Sequence, residues 1–434
     1  MTQTAATLQT RLDKLAPGQV RPAEASDAVL GVQPLVVAEP SSPETLAALL
    51  ACADSEGLTV LPRGGGTQSG LGFPPSGGDI VLSLAALNAV IEHAPHDQTI
   101  TVQAGLPVAA LQEHLAQTGQ WLALDPPLRP GATVGGLIAT AVAGPRRLRY
   151  GGVRDQILGA QVALADGTIA RGGGKVVKNV AGYDLPKLFT GSLGTLGVIL
   201  SASFRLYPLP ADSRTLVCDA PSHEPLCNAV HTITASTLTP TAIDVLGPEA
   251  SEQPYRLAVR FQSRVERAVT DQIASLQTLL GPLASQAVVL HGPAENDFWR
   301  ALDTLDMPET QDMQDAWLDL RAALLPGEVV GWLTALQSTA GTSRLALRWR
   351  AHAGHGTVRA RLAGDPAALV AALQALRLAA EEARGALVVE EYTPALAGKL
   401  DPWGKPAALD LMRRIKAEFD PHNTLNPGRF VGGI

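Results

Sequence analysis

The feature that most constrains this chain is a series of loops in its first half from which side chains are nearly absent. The first, Arg63-Gly-Gly-Gly-Thr67, follows a short apolar step, Leu58-Thr-Val-Leu61. A second reads Pro130-Gly-Ala-Thr-Val-Gly-Gly136, with Ala139-Thr140 and Gly144 behind it. A third is Tyr150-Gly-Gly152, and a fourth runs from Gly191 to Gly197 as GSLGTLG. Glycine admits positive φ and lets another group come close to the main chain. A strand that ends in three glycines presents several N–H groups to one concavity, which makes a nest for an anion. Each loop taken singly could equally be a plain turn or a packing site. Four in one domain point to a long ligand laid against main chain, with a nucleotide pyrophosphate as the natural guest of the first. No Gly-Lys-Ser/Thr follows Gly66, and neither the first loop nor the fourth has the Gly-x-Gly-x-x-Gly spacing, so the two common nucleotide fingerprints are absent.

Periodicity places elements around these loops. Pro43–Ser55 reads as an amphipathic helix behind a Ser-Ser-Pro start. Leu58–Leu61, Asp79–Leu84 and Thr99–Ala104 read as strands, and Pro107–Thr118 as a second helix. Leu124–Gly136 is a long loop leading into a small-residue segment, Leu137–Ala143. Gln156–Leu164 and Thr168–Gly172 form a hairpin around Ala165-Asp-Gly167, a short helix ends in Lys187–Gly191, and Gly197–Tyr207 is a long strand. The Pro208-Leu-Pro210 pair marks a boundary. Beyond it, alternating runs (Arg256–Phe261, Arg344–Trp349, Thr357–Leu362, Ala386–Val389) mix with helices at Val265–Leu280 and Pro366–Arg384. The expected organisation is a helical lead-in over 1–30, an α+β domain over 31–210, a second α+β domain over 211–405, and a C-terminal helix (Pro406–Glu418) with its tail over 406–434. No internal repeat is visible in the sequence.

Composition narrows the function. At 434 residues the chain has room for two or three domains, and 46% hydrophobic with 17% charged residues is a globular balance. A formal net charge of −7 and 4% aromatic residues argue against nucleic acid as a partner. The three cysteines, Cys52, Cys218 and Cys227, form no Cys-x-x-Cys pair, so this chain is not expected to carry an iron–sulfur cluster or structural zinc. They fit reduced thiols in a cytoplasmic protein. No apolar run reaches roughly 18 residues, so any approach to a membrane is expected through partners.

Several motifs fall in one register: Arg63-Gly-Gly-Gly-Thr67, Gly131-Ala-Thr-Val-Gly-Gly136, Arg149-Tyr-Gly151, Val162-Ala-Leu-Ala-Asp-Gly167, Leu188-Phe-Thr-Gly-Ser-Leu-Gly-Thr-Leu-Gly-Val198 and the tail Phe419-Asp-Pro-His-Asn-Thr-Leu-Asn-Pro-Gly428. Together they resemble the FAD-binding domain of the vanillyl-alcohol oxidase / p-cresol methylhydroxylase superfamily. Lys178-Asn-Val-Ala-Gly-Tyr-Asp-Leu185 and the overall length are similar to the branch of smaller flavin subunits of bacterial glycolate oxidases. The resemblance implies a bipartite, two-subdomain FAD domain followed by an α+β cap. It also implies FAD held without a covalent bond, because Thr67 stands where some relatives carry the tethering histidine. The cofactor-binding residues it implies are Arg63, Gly64, Gly65, Gly66, Thr67 and Gly70 in the first loop. Gly131, Thr133, Gly135, Gly136 and Gly144 lie across from them, followed by Gly197 and Val198, and by Asn426 in the returning tail.

The same resemblance exposes departures. Flavin-dependent 2-hydroxy-acid dehydrogenases carry His-Ala-Gly-Asp-Gly-Asn-Leu-His, whose histidines bind a divalent metal together with a later glutamate. Here the segment reads His352-Ala-Gly-His-Gly-Thr-Val-Arg359, and the later segment reads Glu390-Glu-Tyr392. Arg359, His352 and Glu390 are therefore the catalytic candidates, with no metal expected. Arg359 either clamps a carboxylate by paired hydrogen bonds or is a structural arginine in a relict site. Ala141, Ala143 and Leu193 also stand where relatives often have Asn, Ser and Glu. His93 and His96, His422, and the cluster Arg146-Arg147-Leu-Arg149 are secondary candidates, each read more readily as loop or surface. The function implied is an FAD-binding redox subunit of a complex oxidising glycolate to glyoxylate. It would work beside a larger flavin subunit that turns over substrate and an iron–sulfur subunit, peripheral to the inner membrane through those partners. A stand-alone FAD-dependent 2-hydroxy-acid dehydrogenase and a flavin-free scaffold are the alternatives.

Overall fold

The computed structural model describes residues 4–127, 129–175, 182–248, 253–302 and 316–434. Lys178–Ala181, part of one motif above, lie outside the described residues.

The N-terminal half holds two sheets over one core. The first has four strands in the order Val20–Pro22, Val36–Ala38, Ile80–Ser83, Val60–Arg63, the last three mutually parallel. Helix Pro43–Ser55 makes one of the parallel crossovers. It starts where Ser42 Oγ accepts from Thr45 N at 3.1 Å with Pro43 behind it, and its spacing turns Leu46, Leu49, Leu50 and Ala53 inward. The second sheet is antiparallel: Val90–Ala94, Thr99–Gln103, Val198–Arg205, Ile157–Ala163, Ile169–Gly173. Residues of both sheets belong to one hydrophobic cluster, joined by Leu425 from the tail. The small-residue segment after the second glycine loop is a helix, Val134–Thr140, closed by Ala141 at φ 52°.

After the pairing of Tyr207–Pro208 with Gln120–Trp121, the chain enters an eight-stranded antiparallel sheet. Here the structure holds a repeat of topology that is not visible in the sequence. Asp212–Ala220, helix His223–Thr234, Ala242–Leu246, Tyr255–Ser263, helix Glu266–Leu280 and Val288–His291 make one β-α-β-β-α-β unit. Ala316–Ala323, helix Val329–Thr342, Ala346–His352, Thr357–Gly364, helix Pro366–Glu382 and Ala386–Tyr392 make a second. Each unit orders its strands fourth, first, third, second, and the two second strands pair at Val245↔Ala351 and Leu246↔Arg350 to join the halves. The four helices and one face of the sheet form a second large core. Strand alternation sends Trp349 and Ala351 into that core, so Arg350 and His352 take the opposite face. That face also carries Asp244, Arg260, Arg321, Arg359 and Glu390. Helix Gly292–Ala301 covers the first half of it, with Trp299 Nε1 donating to Thr215 Oγ1 at 2.8 Å. The second half looks toward the N-terminal domain.

The last helix, Leu409–Phe419, returns the chain to the first sheet. Val60 N donates to Thr424 O at 2.8 Å and Asn426 N to Val60 O at 2.9 Å, so the tail lies parallel beside strand Val60–Arg63.

Candidate functional site

Held between strand Ile80–Ser83 and the tail, strand Val60–Arg63 delivers its main chain into the Gly64–Thr67 loop. Gly64 and Gly65 are required there by close contact with the second glycine loop. A Cβ on Gly64 would lie 2.1 Å from Thr133 Oγ1, and one on Gly65 would lie 1.8 Å from the Gly131 carbonyl oxygen. Gly66 adopts φ +71°. With the loops locked in this way, the N–H groups of Gly64, Gly65, Gly66 and Thr67 donate to no other described residue. They face a cavity of about 990 Å³. Gly64 and Thr67 are half-buried while Gly65 and Gly66 are open to the cavity, and successive N–H groups in a concave turn form an anion nest.

Thr133, Gly135, Gly136, Gly197, Val198 and Asn426 also line this cavity, together with Arg63. Thr133 Oγ1 accepts from Gly136 N at 3.3 Å, and Gly135 N donates to Ala104 O at 2.7 Å. Arg63 is anchored from behind, with Nη2 donating to Asp27 at 2.8 Å. The Arg21 and Arg63 guanidiniums hold the Asp27 carboxyl well below the usual carboxylate range. Three of the expected residues lie off the cavity lining. Gly70 backs onto Glu391, Gly131 offers its carbonyl to the gap left by Gly65, and Gly144 fits against Asp125, where a Cβ would lie 1.7 Å from the Asp125 carbonyl oxygen. Their small size serves contacts between chain segments. Sequence reading missed Ala139, Thr140, Leu193 and Arg429 in the lining. Ala139, Thr140 and Leu193 lie within the quoted loops and Arg429 directly follows the tail motif, but nothing local in them says which way a side chain turns. Asn426 Nδ2 donates to Leu193 O at 2.6 Å, while its buried Oδ1 has no partner.

A second cavity, of about 1120 Å³, shares Ala139, Thr140 and Leu193 with the first. Arg147, Arg154 and Arg321 line it opposite Trp403 and Phe430. The three catalytic candidates do not meet in it. Arg359 is tied to the Glu390 carboxylate, to which Arg321 Nε also donates at 2.8 Å. Burial pushes the Glu390 carboxyl up, but Arg359 and Arg321 outweigh it and hold the group at about 2. Of this trio Arg321, which the sequence reading did not name, reaches the cavity lining. His352 lines neither cavity. It is enclosed between the domains, its Nδ1 2.8 Å from Asp244, and Arg350 Nε donates to the same carboxylate at 2.6 Å. Burial presses the His352 imidazole below its ordinary value, and pushes neighbouring His355 down to about 3. Alternation alone put His352 on the polar face, but helix Gly292–Ala301 and the packing of the domains decide that it is buried there.

Of the secondary candidates, Arg147 lines the second cavity and the histidines lie elsewhere. His93 Nε2 is 3.0 Å from Gln120 Oε1 and its Nδ1 3.2 Å from His114, on the outer sheet. His422 pairs with Asp54 at the surface. Among the described residues no three His, Cys, Asp or Glu side chains gather as metal ligands.

Comparison with known proteins agrees with this geometry. Residues 34–173 match the family described as FAD binding domain, and residues 401–430 match FAD linked oxidases, C-terminal domain. The D-lactate dehydrogenase of Archaeoglobus fulgidus is 30% identical over 421 residues, covering 91% of both chains. The glycolate oxidase subunit GlcD of Bacillus subtilis is 28% identical over 426 residues, 91% of this chain and 88% of that protein. A D-2-hydroxyglutarate dehydrogenase of Xanthomonas citri is 28% identical, over 91% and 89%. In fold, the chain superposes on alkyldihydroxyacetonephosphate synthase with a TM-score of 0.76 at 17% identity, covering 98% of this chain and 86% of that one. The first cavity suits FAD: its lining offers a row of unpaired N–H groups and two arginines, and no described acid opposes a pyrophosphate. No described histidine, cysteine or tyrosine lines it to form a covalent tether. The chain belongs to the FAD-linked oxidase family of the vanillyl-alcohol oxidase / p-cresol methylhydroxylase type and is an FAD-dependent oxidoreductase.

Proposed function

We propose that this chain is the smaller flavin subunit of a complex that oxidises a small 2-hydroxy acid, glycolate in the first instance, and that substrate turns over on a larger flavin subunit. The observation that carries this reading is the state of Glu390. Its carboxylate is consumed by Arg321 and Arg359, so it is not free to hold a metal or to accept a hydroxyl proton. Asp155 is the acid among the described residues of the second cavity, and it is committed to Gly152 N at 2.8 Å. An oxidation of a hydroxy acid needs a group that takes the hydroxyl proton, and these residues supply none.

FAD, when bound, supplies a two-electron acceptor. The chain's own residues then have separable roles. The N–H groups of Gly64 to Thr67 hold the pyrophosphate, and the Thr133–Gly136 turn closes the opposite side. Glu390 orients Arg321, which presents a guanidinium suited to a carboxylate. That half-buried guanidinium in the lining of the second cavity also favours a second reading, in which this chain docks a hydroxy acid itself. The likeness to GlcD supports glycolate, and the lack of a cysteine set for a cluster supports an iron–sulfur partner that takes the electrons onward. No described helix is long and apolar enough to cross a membrane, so attachment to the inner membrane would run through those partners.

Flavin content of the purified complex tests the reading. We expect a flavin on each of the two flavin subunits, and loss of this chain's flavin to slow electron delivery to the iron–sulfur partner. A complex whose activity is unchanged when this chain is left out contradicts it.

A further inference from the structure

Three arginines are buried among the described residues: Arg260, Arg350 and Arg429. Arg260 lies 2.9 Å from Glu295, and Arg350 lies 2.6 Å from Asp244. Arg429 has no acid partner among the described residues. Its Nη2 donates to the carbonyls of Ser69 and Leu71, each at 2.7 Å, and its buried Nε donates to nothing. The main chain beneath it is fixed, because the Arg429 carbonyl accepts from Trp403 Nε1 and Phe73 N, both at 3.0 Å. Tyr392 is its titratable neighbour, donating to Gly72 O at 3.3 Å, and Glu391 on the same strand is committed to Arg129. A buried cation without a counter-charge is costly by several kcal/mol in general. Burial accordingly presses this guanidinium down to about 10. Arg429 lines the first cavity together with Asn426, whose buried Oδ1 is also unpartnered.

We infer that Arg429 is the counter-charge for the isoalloxazine ring of FAD, stabilising the negative charge that its pyrimidine edge acquires on reduction, with Asn426 accepting from the ring N–H beside it. The inference rests on the first cavity being the FAD site. The pyrophosphate is the other anion of FAD, but the Gly64–Thr67 donors already serve it. A phosphate also offers acceptors alone, and would set one against the unpaired Asn426 oxygen. The pyrimidine edge alternates carbonyl, N–H and carbonyl, which matches an unpaired donor beside an unpaired acceptor. Two electrons and one proton convert the neutral oxidised ring into an anion. A fixed guanidinium at that edge favours the reduced form, so it raises the midpoint potential and disfavours a second proton.

The test is a dithionite titration of the FAD-loaded chain against a reference dye. In the parent protein, the potential is expected to fall by about 30 mV per pH unit, the value for one proton per two electrons, with no break between about pH 8 and about pH 5.5. A slope near 60 mV per pH unit at about pH 6 means that the reduced ring takes a second proton, and overturns the inference. In Arg429→Met, the reduced-to-oxidised ratio at the parent midpoint is expected to fall at least tenfold, a shift of about 30 mV. Arg429→Lys keeps the charge and is expected to stay near the parent potential. Bound flavin in Arg429→Met at the parent potential overturns the inference while leaving the FAD site standing. A parent chain that takes up no FAD overturns both. Should Arg429→Met not fold, the parent slope decides.

Discussion

Gly65 shows at the scale of one residue how the flavin nest is built. A glycine beside a phosphate is usually explained by the ligand, but here the obstruction is the protein itself, since a Cβ would lie 1.8 Å from the Gly131 carbonyl oxygen and 2.7 Å from its carbon. A main-chain oxygen cannot rotate away, so Gly65→Ala must part the two loops and carry the neighbouring N–H groups with them. We expect at least about tenfold weaker FAD binding, roughly 1.4 kcal/mol, with the circular dichroism of the fold unchanged. Fluorescence titration of the apoprotein with FAD reads the affinity, and an unaltered dissociation constant would rule out the nest. The glycine triplet was conspicuous in the sequence, but the reason for its first two members was not. Gly131 lies 66 residues after Gly65, and the contact between them is created by the fold. His352 shows the converse. It was a catalytic candidate by its motif, yet the structure encloses it against Asp244, 108 residues away.

At the scale of elements, the C-terminal helix Leu409–Phe419 and its tail do the joining, and a buried lysine holds them. Lys416 Nζ donates to Thr195 O and Leu425 O, both at 2.9 Å, and to the Asp420 carboxylate. The ammonium thus ties the fourth glycine loop to the residue before Asn426. Burial lowers the Lys416 pKa, while Asp420 opposes that shift. Lys416→Met leaves Asp420 buried with its two main-chain donors but without a cation. Loss of one partner of a buried pair costs roughly 3 kcal/mol, so the melting temperature should fall by several degrees, and FAD affinity should fall with it. A variant melting with the parent would show that the tail is held by other contacts. Elements whose pattern is local were readable from sequence: helix Pro43–Ser55, strand Thr99–Gln103 and the hairpin at Asp166-Gly167 fall where periodicity and turn residues put them. The second domain was read less well. Helix Val329–Thr342 carries small and apolar residues around much of its surface, which blurs its period. The two β-α-β-β-α-β halves share a topology and no motif. Strand Ala316–Ala323 alternates cleanly and would have yielded Arg321, but Glu390, which gives that arginine its meaning, lies 69 residues on.

For the whole molecule, the two halves of the site differ in kind. The cofactor side is built from main chain and small residues whose spacing is fixed locally, so its motifs could be matched in order. The side facing the second domain is built from charges on one sheet face, and ion pairs formed across the sheet decide what each charge is free to do. Half of that face is closed by Trp299, and the other half is open to the second cavity through Arg321. In this design the FAD side offers main-chain donors, while the two acids argued above, Glu390 and Asp155, are held by Arg321 and Arg359 and by Gly152 N. The most direct measurement is the absorbance spectrum of the isolated, FAD-loaded chain, mixed without oxygen with glycolate and then with D-lactate. We expect an oxidised flavin spectrum that neither acid bleaches, and bleaching once the larger flavin subunit is added with glycolate. Rapid bleaching of the isolated chain by either acid would contradict it.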